Sequence, residues 1–549
     1  MGARASRDAD DDEDQEMNED EEEGRNLNHE AQPEADPRPA RLEPRRHQGG
    51  HRGADILNIL ESLYRSGQLN LRGVAAMPGR RGLLRNLSQD EETEQTWEAI
   101  ADMGIMDKSD YKQRVLANSG LDGMLGKQTA TIPHYPLLTR EYYGLRTTEK
   151  VRLMHKCIPN SPSKLMQIDE KLFCGLHSQD GEVFLASGQD QCIRVFDTSR
   201  SVARDEPLKL IRSFDARDVG WSVLDVRLSS DGRYLAYSSW SDAVHIASVR
   251  DDSTHLAVPL KPDGQHCGVF SLMFSHDDTE ILAGANFGHV YVVSLATGRS
   301  QKIKTHSDDV NTVAFADNTS HILYSGGDDG IIRVWDRRNL SESNPKCCGL
   351  FLGHKHGITY LDPHADGRHL LSNSKDQSIK LWDIRCLSNE EGLVEAKKAV
   401  QENRWDYRYR YRQGSGCARK LKCDRSIITF TGHSVLQTLI RARFSPYEST
   451  VSRYIYTGDN AGHVIVFDTL TGETVRKMKE HMLVVRDVSW HPSRPEIIST
   501  GWDGLQVLWT YRQPNDEKES RDARETVEVQ SSEESASSDD SDEDGDETM

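Results

Sequence analysis

Ile332-Arg333-Val334-Trp335-Asp336 and Ile379-Lys380-Leu381-Trp382-Asp383 are the stretches on which the fold turns. Each is a short apolar strand-like run closed by Trp-Asp. The pattern recurs as Ile193-Arg194-Val195-Phe196-Asp197 and Val464-Ile465-Val466-Phe467-Asp468, and the last copy closes at Val507-Leu508-Trp509. Two degenerate copies lie around Ile246 and Val292. With Phe196, Ala247, Val293, Trp335, Trp382, Phe467 and Trp509 as equivalents, the spacings are 51, 46, 42, 47, 85 and 42 residues. A period near 40–45 residues with this ending marks one four-stranded propeller blade. Seven copies predict an all-β, seven-bladed β-propeller over residues 161–512. The spacing of 85 is one blade plus an insertion at about 386–430.

A second element repeats in register. His306, His354, His433 and His481 each precede a strand. Asp329, Asp376 and Asp503 lie six residues before Trp335, Trp382 and Trp509, and Ser325, Ser372 and Ser499 lie four before those aspartates. The set resembles the WD-repeat family, in which these Asp, His, Ser and Trp positions form a buried hydrogen-bonded group. Buried polar groups need partners, and repeating the whole set supplies them. A hydrolytic Ser-His-Asp triad occurs once in an enzyme, whereas this constellation returns blade after blade. The chain also lacks a GxxxxGK[ST] phosphate loop, an HExxH pair and a GxSxG elbow. The expectation is a non-catalytic protein without cofactor or metal.

The 549 residues carry a formal charge of −20. Asp8–Glu23 holds 12 acidic residues and no basic one, and 514–549 holds 15 acidic and 3 basic, so each end contributes −12 and the body is near neutral. Like-charge blocks with few apolar groups cannot bury enough surface to fold, so 1–52 and 513–549 are expected to be disordered. Serines precede carboxylates in the second tail, a pattern acidophilic kinases accept; phosphate mimicry and simple solubility remain equal readings. The nine cysteines show no zinc-ligand spacing, so reduced thiols in the nucleus and cytoplasm are expected. No apolar run approaches 18 residues, which predicts neither a membrane span nor a secretory signal. Met1-Gly2-Ala3-Arg4-Ala5-Ser6 fits the N-myristoylation pattern at Gly2. One acyl chain binds membranes only marginally, and anionic lipid repels the acid run that follows, so no stable membrane association is expected.

Upstream of the ring, 53–160 reads as a partly helical extension. Ile56, Leu57, Ile59, Leu60 and Leu63 recur at helical spacing between Asp55 and Gly67, and Asp107–Leu116 is a second helical candidate. The first serves equally as a helix packed on the ring or as one that docks a partner.

The residue after the Trp-Asp pair narrows the function. Trp335-Asp336-Arg337-Arg338 and Trp382-Asp383-Ile384-Arg385 both read W-D-x-R, in consecutive blades. Together with Ala216-Arg217-Asp218-Val219-Gly220-Trp221, Tyr237-Ser238-Ser239-Trp240-Ser241-Asp242, Ser372-Asn373-Ser374-Lys375-Asp376-Gln377 and Val485-Arg486-Asp487-Val488, they make the chain similar to the WD-repeat substrate receptors of cullin-four RING ubiquitin ligases. That resemblance covers about Phe173 to Arg512. It implies that Arg338 and Arg385, presented by Trp335, Asp336, Trp382 and Asp383, face the ligase adaptor, damage-specific DNA-binding protein one. It further implies that a protein substrate, a stress-response bZIP factor among the family's targets, is held for ubiquitination and degradation. A planar guanidinium suits such a contact because it pairs bidentately with carboxylates or carbonyls.

Substrate is expected at the opposite rim and channel mouth. The candidates are Arg217, Trp221, Trp240, Lys375, Arg486 and Trp502, since Trp and Arg dominate interface energetics; packing between blades is the competing reading for the indoles. Within the insertion, Arg404-Trp405-Asp406-Tyr407-Arg408-Tyr409-Arg410-Tyr411-Arg412 alternates aromatic and basic residues. In a strand this would put rings on one face and guanidiniums on the other. Three uses stay open: covering the blade edge, binding an acidic peptide, or stacking single-stranded nucleic acid. No nucleic acid is expected as partner. A generic propeller scaffold and an RNA-associated propeller are the alternative functions.

Overall fold

The computed structural model describes Met106, 109–119 and 147–513, apart from 202–205, 253, 261–265, 404 and 409–419. The helix expected around Ile56–Leu63, both tails and Gly2 lie outside these residues.

Seven four-stranded antiparallel sheets follow one another in chain order. Blade one is Leu172–His177, Val183–Gly188, Cys192–Asp197 and Lys209–Asp215; the pattern continues through blade six, which ends at Thr474–Lys479. Phe196, Ala247, Val293, Trp335, Trp382, Phe467 and Trp509 all fall in third strands. Blade seven is the exception in connectivity. Val485–Trp490, Glu496–Gly501 and Leu505–Thr510 take their fourth strand from the far end of the ring, Ser161–Gln167, in register Ser161↔Thr510 and Pro162↔Trp509. That pairing closes the circle by joining the two ends of the ring in one sheet, with Ser161–Gln167 as its edge strand.

Apolar residues of neighbouring sheets make the cores between blades. Trp382 packs with Phe351, Leu361 and Leu370, and Trp509 with Tyr454, Val488 and Trp490. In five blades the first strand bulges at the same place, for example between Val485 and Asp487 and between Ile358 and Tyr360. A bulge kinks a strand and sharpens its twist, here where the strands line the axis.

Four helices accompany the sheets among the described residues: α1 (Asp110–Ser119), α2 (Thr147–Lys156), α3 (Gly392–Glu402) and α4 (Tyr447–Thr450). α1 begins three residues later than the sequence suggests. The Ser109 hydroxyl accepts the Lys112 N–H at 3.4 Å and so caps it. Met106, Tyr111 and Val115 join the core under blades five and six, and the Tyr111 hydroxyl donates to Ser452 O at 2.7 Å.

The insertion separates the third strand of blade five (Ile379–Asp383) from its fourth, Ile428–Phe430, so 428–430 belong to the blade and not to the insertion. α3 packs Leu393 and Ala396 against Ile331, Leu350 and Leu352 on the edge of blade four. The basic-aromatic stretch does not begin as a strand: Trp405–Arg408 is a turn, and 409–419 lie outside the described residues.

Candidate functional site

The antiparallel meander gives the ring two faces. The lower rim carries the ends of the third strands; the upper face carries the loops between blades and those joining second to third strands.

Three blades hold the hydrogen-bond set. In blade four, Trp335 Nε1 donates to Ser325 Oγ (2.9 Å), which lies 2.7 Å from His306 Nε2, while His306 Nδ1 meets Asp329 at 2.9 Å. Blade five repeats it with Trp382, Ser372, His354 and Asp376 at 2.8, 2.6 and 3.0 Å. Blade seven does so with Trp509, Ser499, His481 and Asp503 at 2.8, 2.8 and 3.0 Å. The order Ser–His–Asp is that of a nucleophilic triad, but each serine is fully buried and already bound by an indole N–H. No substrate carbonyl can reach it. The imidazoles hold Asp329 and Asp376 far below the usual carboxylate range despite their burial. His433 departs from the pattern: its Nε2 meets Asn373 Oδ1 at 2.9 Å, and no aspartate binds its Nδ1.

On the lower rim, the two W-D-x-R boxes share one construction. Trp335 and Trp382 are buried. Asp336 accepts the Arg338 backbone N–H at 3.0 Å and its guanidinium at 2.9 and 2.8 Å, and these bonds hold its carboxyl down to about 2. Asp383 grips Arg385 likewise, at 3.0 Å through the backbone N–H and 3.0 Å through Nη2. Both guanidiniums still project, with 63% and 56% of their side chains exposed. They differ in one respect that the sequence does not reveal. Asp110, at the start of α1, pairs with Arg385 at 3.2 Å and Arg368 at 3.0 Å. The amino-terminal extension thus borders the same rim.

Beneath α1 lie His364, Asp366 and His369, whose ligating atoms fall within 4.8 Å of one another. Among the described residues this is the one such grouping. Asp366 is already engaged by His369 Nδ1 at 2.7 Å and Arg114 at 3.1 Å, and Tyr111 lies edge-on to both imidazoles at 5.7 and 5.0 Å. A cation would have to displace those donors beside a guanidinium. The cluster seats α1.

The upper face distributes the proposed substrate residues unevenly. Trp221 and Trp240 are 47% and 40% exposed. Trp221 stands edge-on to Phe173 at 5.3 Å, and Trp240 edge-on to Phe270 at 5.5 Å. A Cβ at Gly268 would come within 2.6 Å of the Trp240 ring, so only glycine lets the indole lie there. Arg217 is exposed. Trp502 is half-buried against Phe173 at 5.8 Å, with Lys171 Nζ 4.3 Å over its ring. Lys375 and Arg486 are not surface groups. Lys375 is buried, bound to Asp328 at 2.6 Å and lying 4.0 Å over the Tyr407 ring. Arg486 is buried at the axis, where its guanidinium donates to Leu224 O at 3.0 Å and to Phe173 O. The bulged inner strand turns this arginine inward, off the rim where the sequence reading put it.

A cavity of about 960 Å³ opens beside these residues. Trp240 and Phe270 form one wall, Asp308, Asp309 and Asp328 of blade four another, and Trp405, Tyr407 and Arg408 of the insertion a third. The insertion leaves the lower rim after Arg385 and reaches the upper face over the edge of blade four. There His356 Nε2 meets Trp405 O at 3.0 Å, and Gln437 N–H donates to Tyr407 O at 2.9 Å. Sequence reasoning missed the blade-four aspartates, because nothing in Ser307-Asp308-Asp309 distinguishes them from an ordinary polar turn.

The WD domain, G-beta repeat profile matches residues 298–336, 345–383 and 472–505. A Caenorhabditis elegans protein named DDB1- and CUL4-associated factor 11 homolog is 38% identical over 370 residues, 66% of this chain and 64% of its own length. The chain thus spans somewhat under two thirds of that relative. The Caenorhabditis briggsae protein of the same name is 36% identical over 378 residues, 67% of this chain and 68% of its own. The LEC14B protein of Lithospermum erythrorhizon is 40% identical over 375 residues, 65% of this chain and 76% of its own. Shared by an animal and a plant lineage over about two thirds of the chain, the likeness is one of descent, and the chain belongs to the WD-repeat family of the DDB1- and CUL4-associated factor 11 homologs.

Proposed function

We propose that this protein is the substrate-recognition subunit of a cullin-four RING ubiquitin ligase, docking on the DDB1 adaptor through its lower rim and holding a protein substrate at its upper face. The observation that carries the reading is the pair of projecting arginines, Arg338 and Arg385, each fixed by the aspartate two residues before it. A guanidinium already oriented by a carboxylate loses little freedom on meeting a partner. The names of the nematode relatives support the same association. The protein does no chemistry of its own in this reading. It acts in the nucleus and cytoplasm without nucleic acid or stable membrane contact, and a stress-response bZIP factor is the substrate to test first.

On the substrate side, Arg217, Trp221 and Trp240 are the exposed anchors, with the adjoining cavity to receive a side chain. The test is co-purification. Arg338→Ala with Arg385→Ala should lose the adaptor while the ring stays folded, and Trp221→Ala with Trp240→Ala should lengthen substrate lifetime in cells without releasing the adaptor. Full adaptor recovery with the arginine pair removed, or a substrate lifetime indifferent to ligase inhibition, would leave a scaffold for another complex.

A further inference from the structure

Four arginines converge on the axis of the ring. Arg441, Arg443 and Arg486 are 4%, 6% and 3% exposed, and Arg227 lies beside them. Asp225 and Asp487, both fully buried, answer part of this charge. Arg441 bridges the two, at 2.7 Å to Asp225 and 2.8 Å to Asp487, and Arg443 reaches Asp487 at 2.5 Å. Arg227 meets Asp225 at 3.4 Å and the Tyr360 hydroxyl at 2.9 Å. The third carboxyl nearby, Asp362, accepts the Phe444 N–H at 2.7 Å, and burial pushes it up to about 6.

Four guanidiniums against three carboxyls leave a buried surplus of one positive charge, or two when Asp362 is protonated. Arg486 is where the deficit falls. Among the described residues no carboxylate pairs with it; its Nη atoms donate to the carbonyls of Phe173 and Leu224 and to the Cys174 sulfur. Its Nε, like Nη2 of Arg443, is buried without a partner. Alone among these four arginines, it is held below its ordinary value, by burial and then by the charge of Arg441. Water can satisfy an N–H, but it cannot neutralise a charge taken out of solvent. The Cys174 sulfur, 3.7 Å from Arg486 Nη1, belongs to a thiol that donates to Leu224 O at 3.4 Å.

We propose that the axial cluster binds a small inorganic anion, chloride in the cell, seated against Arg486. Phe173, Cys174 and Leu224 around it are 5% exposed or less, so a ligand seated there is shielded from solvent and a monatomic ion is the smallest that answers the charge. Bound there, the anion ties blades one, two, six and seven together at the centre, where no core cluster spans them all.

The wild-type chain should show a thermal midpoint that climbs by several degrees between about 1 and 150 mM chloride at constant ionic strength, with gluconate as the balancing anion, because a ligand bound only by the folded state stabilises it by mass action. Bromide should replace chloride, and crystals soaked in bromide should give an anomalous peak in contact with Arg486 Nε. Arg486→Gln should abolish the chloride dependence; if it does not fold, Arg486→Lys and the bromide peak on the wild type decide. A midpoint flat in chloride, or a bromide soak without that peak, overturns the proposal.

Discussion

Replacing Ser372 with alanine removes one oxygen and strands two buried groups. Its hydroxyl receives the Trp382 indole N–H at 2.8 Å and meets His354 Nε2 at 2.6 Å, all three residues being 1% exposed or less. A buried polar atom deprived of its partner costs about 1–3 kcal/mol, so two give roughly 2–6 kcal/mol, softened where the imidazole finds a new acceptor or donor. The loss should appear in urea unfolding followed by circular dichroism as a lower midpoint with an unchanged slope. Exposed Ser341→Ala, measured alongside, should move it by less than about 0.5 kcal/mol. Trp382 fixes the strand end that presents Arg385 two residues after Asp383, so the variant should also weaken adaptor binding, though less than Arg385→Ala does. If Ser372→Ala unfolds like the surface control, the hydrogen-bond set is not what holds the blade.

The arginine pair of the lower rim should behave in the opposite way. Exposed ion pairs contribute less than about 1 kcal/mol to folding, while loss of an interface arginine commonly costs 2 kcal/mol or more in binding; Arg338→Ala with Arg385→Ala should therefore weaken adaptor affinity by well over tenfold in calorimetry with little change in stability. Asp110→Ala frees Arg385 from α1 and tests whether the extension restrains docking: adaptor affinity should rise, and a fall would make Asp110 part of the contact. Acidification should destabilise the ring. Burial holds His433 down to about 4 and His491 to about 3, below the ordinary imidazole near 6.5, so the unfolded chain takes up protons first and stability is lost as pH falls from about 6.5 towards 4. Thermal midpoints across that window should decline, and His433→Gln should flatten the decline. Single-stranded RNA should show no sub-micromolar binding at physiological salt by fluorescence anisotropy, since Arg408 is spent on Asp406 at 2.8 Å and phosphate contacts alone fade with salt.

The architecture was readable because each blade repeats a local pattern, strand by strand, within 40–50 residues. Even Ala247 and Val293, which lack the Trp-Asp ending, sit where the spacing put them. What escaped reading was whatever depends on distant residues meeting. Arg441 and Asp225 are 216 positions apart, and Arg443 and Asp487 are 44. One trace was visible: Asp225-Val226 and Asp487-Val488 occupy like places in two inner strands, a charged residue where blades three, four and five carry Ser271, Thr312 and Tyr360. Arg486 is a substrate candidate by residue type alone, since arginine dominates interface energetics; the bulge beside it turns it inward. The alternation of rings and guanidiniums in the insertion would separate two faces only in a strand, and the bonds of Trp405 O and Tyr407 O to upper-face loops fold its start into a turn.

Closure of blade seven by Ser161–Gln167 has a consequence for how the protein is made. Among the described residues the first strand to leave the ribosome pairs with the last, roughly 350 residues later. At about 5–20 residues per second, translation leaves Ser161–Gln167 without its partner for some tens of seconds. Throughout that interval an unpaired strand edge is open to other chains. Synthesis, rather than the finished ring, is the moment at which this protein most needs a chaperone, and a nascent chain stalled in blade six would be the species most apt to aggregate.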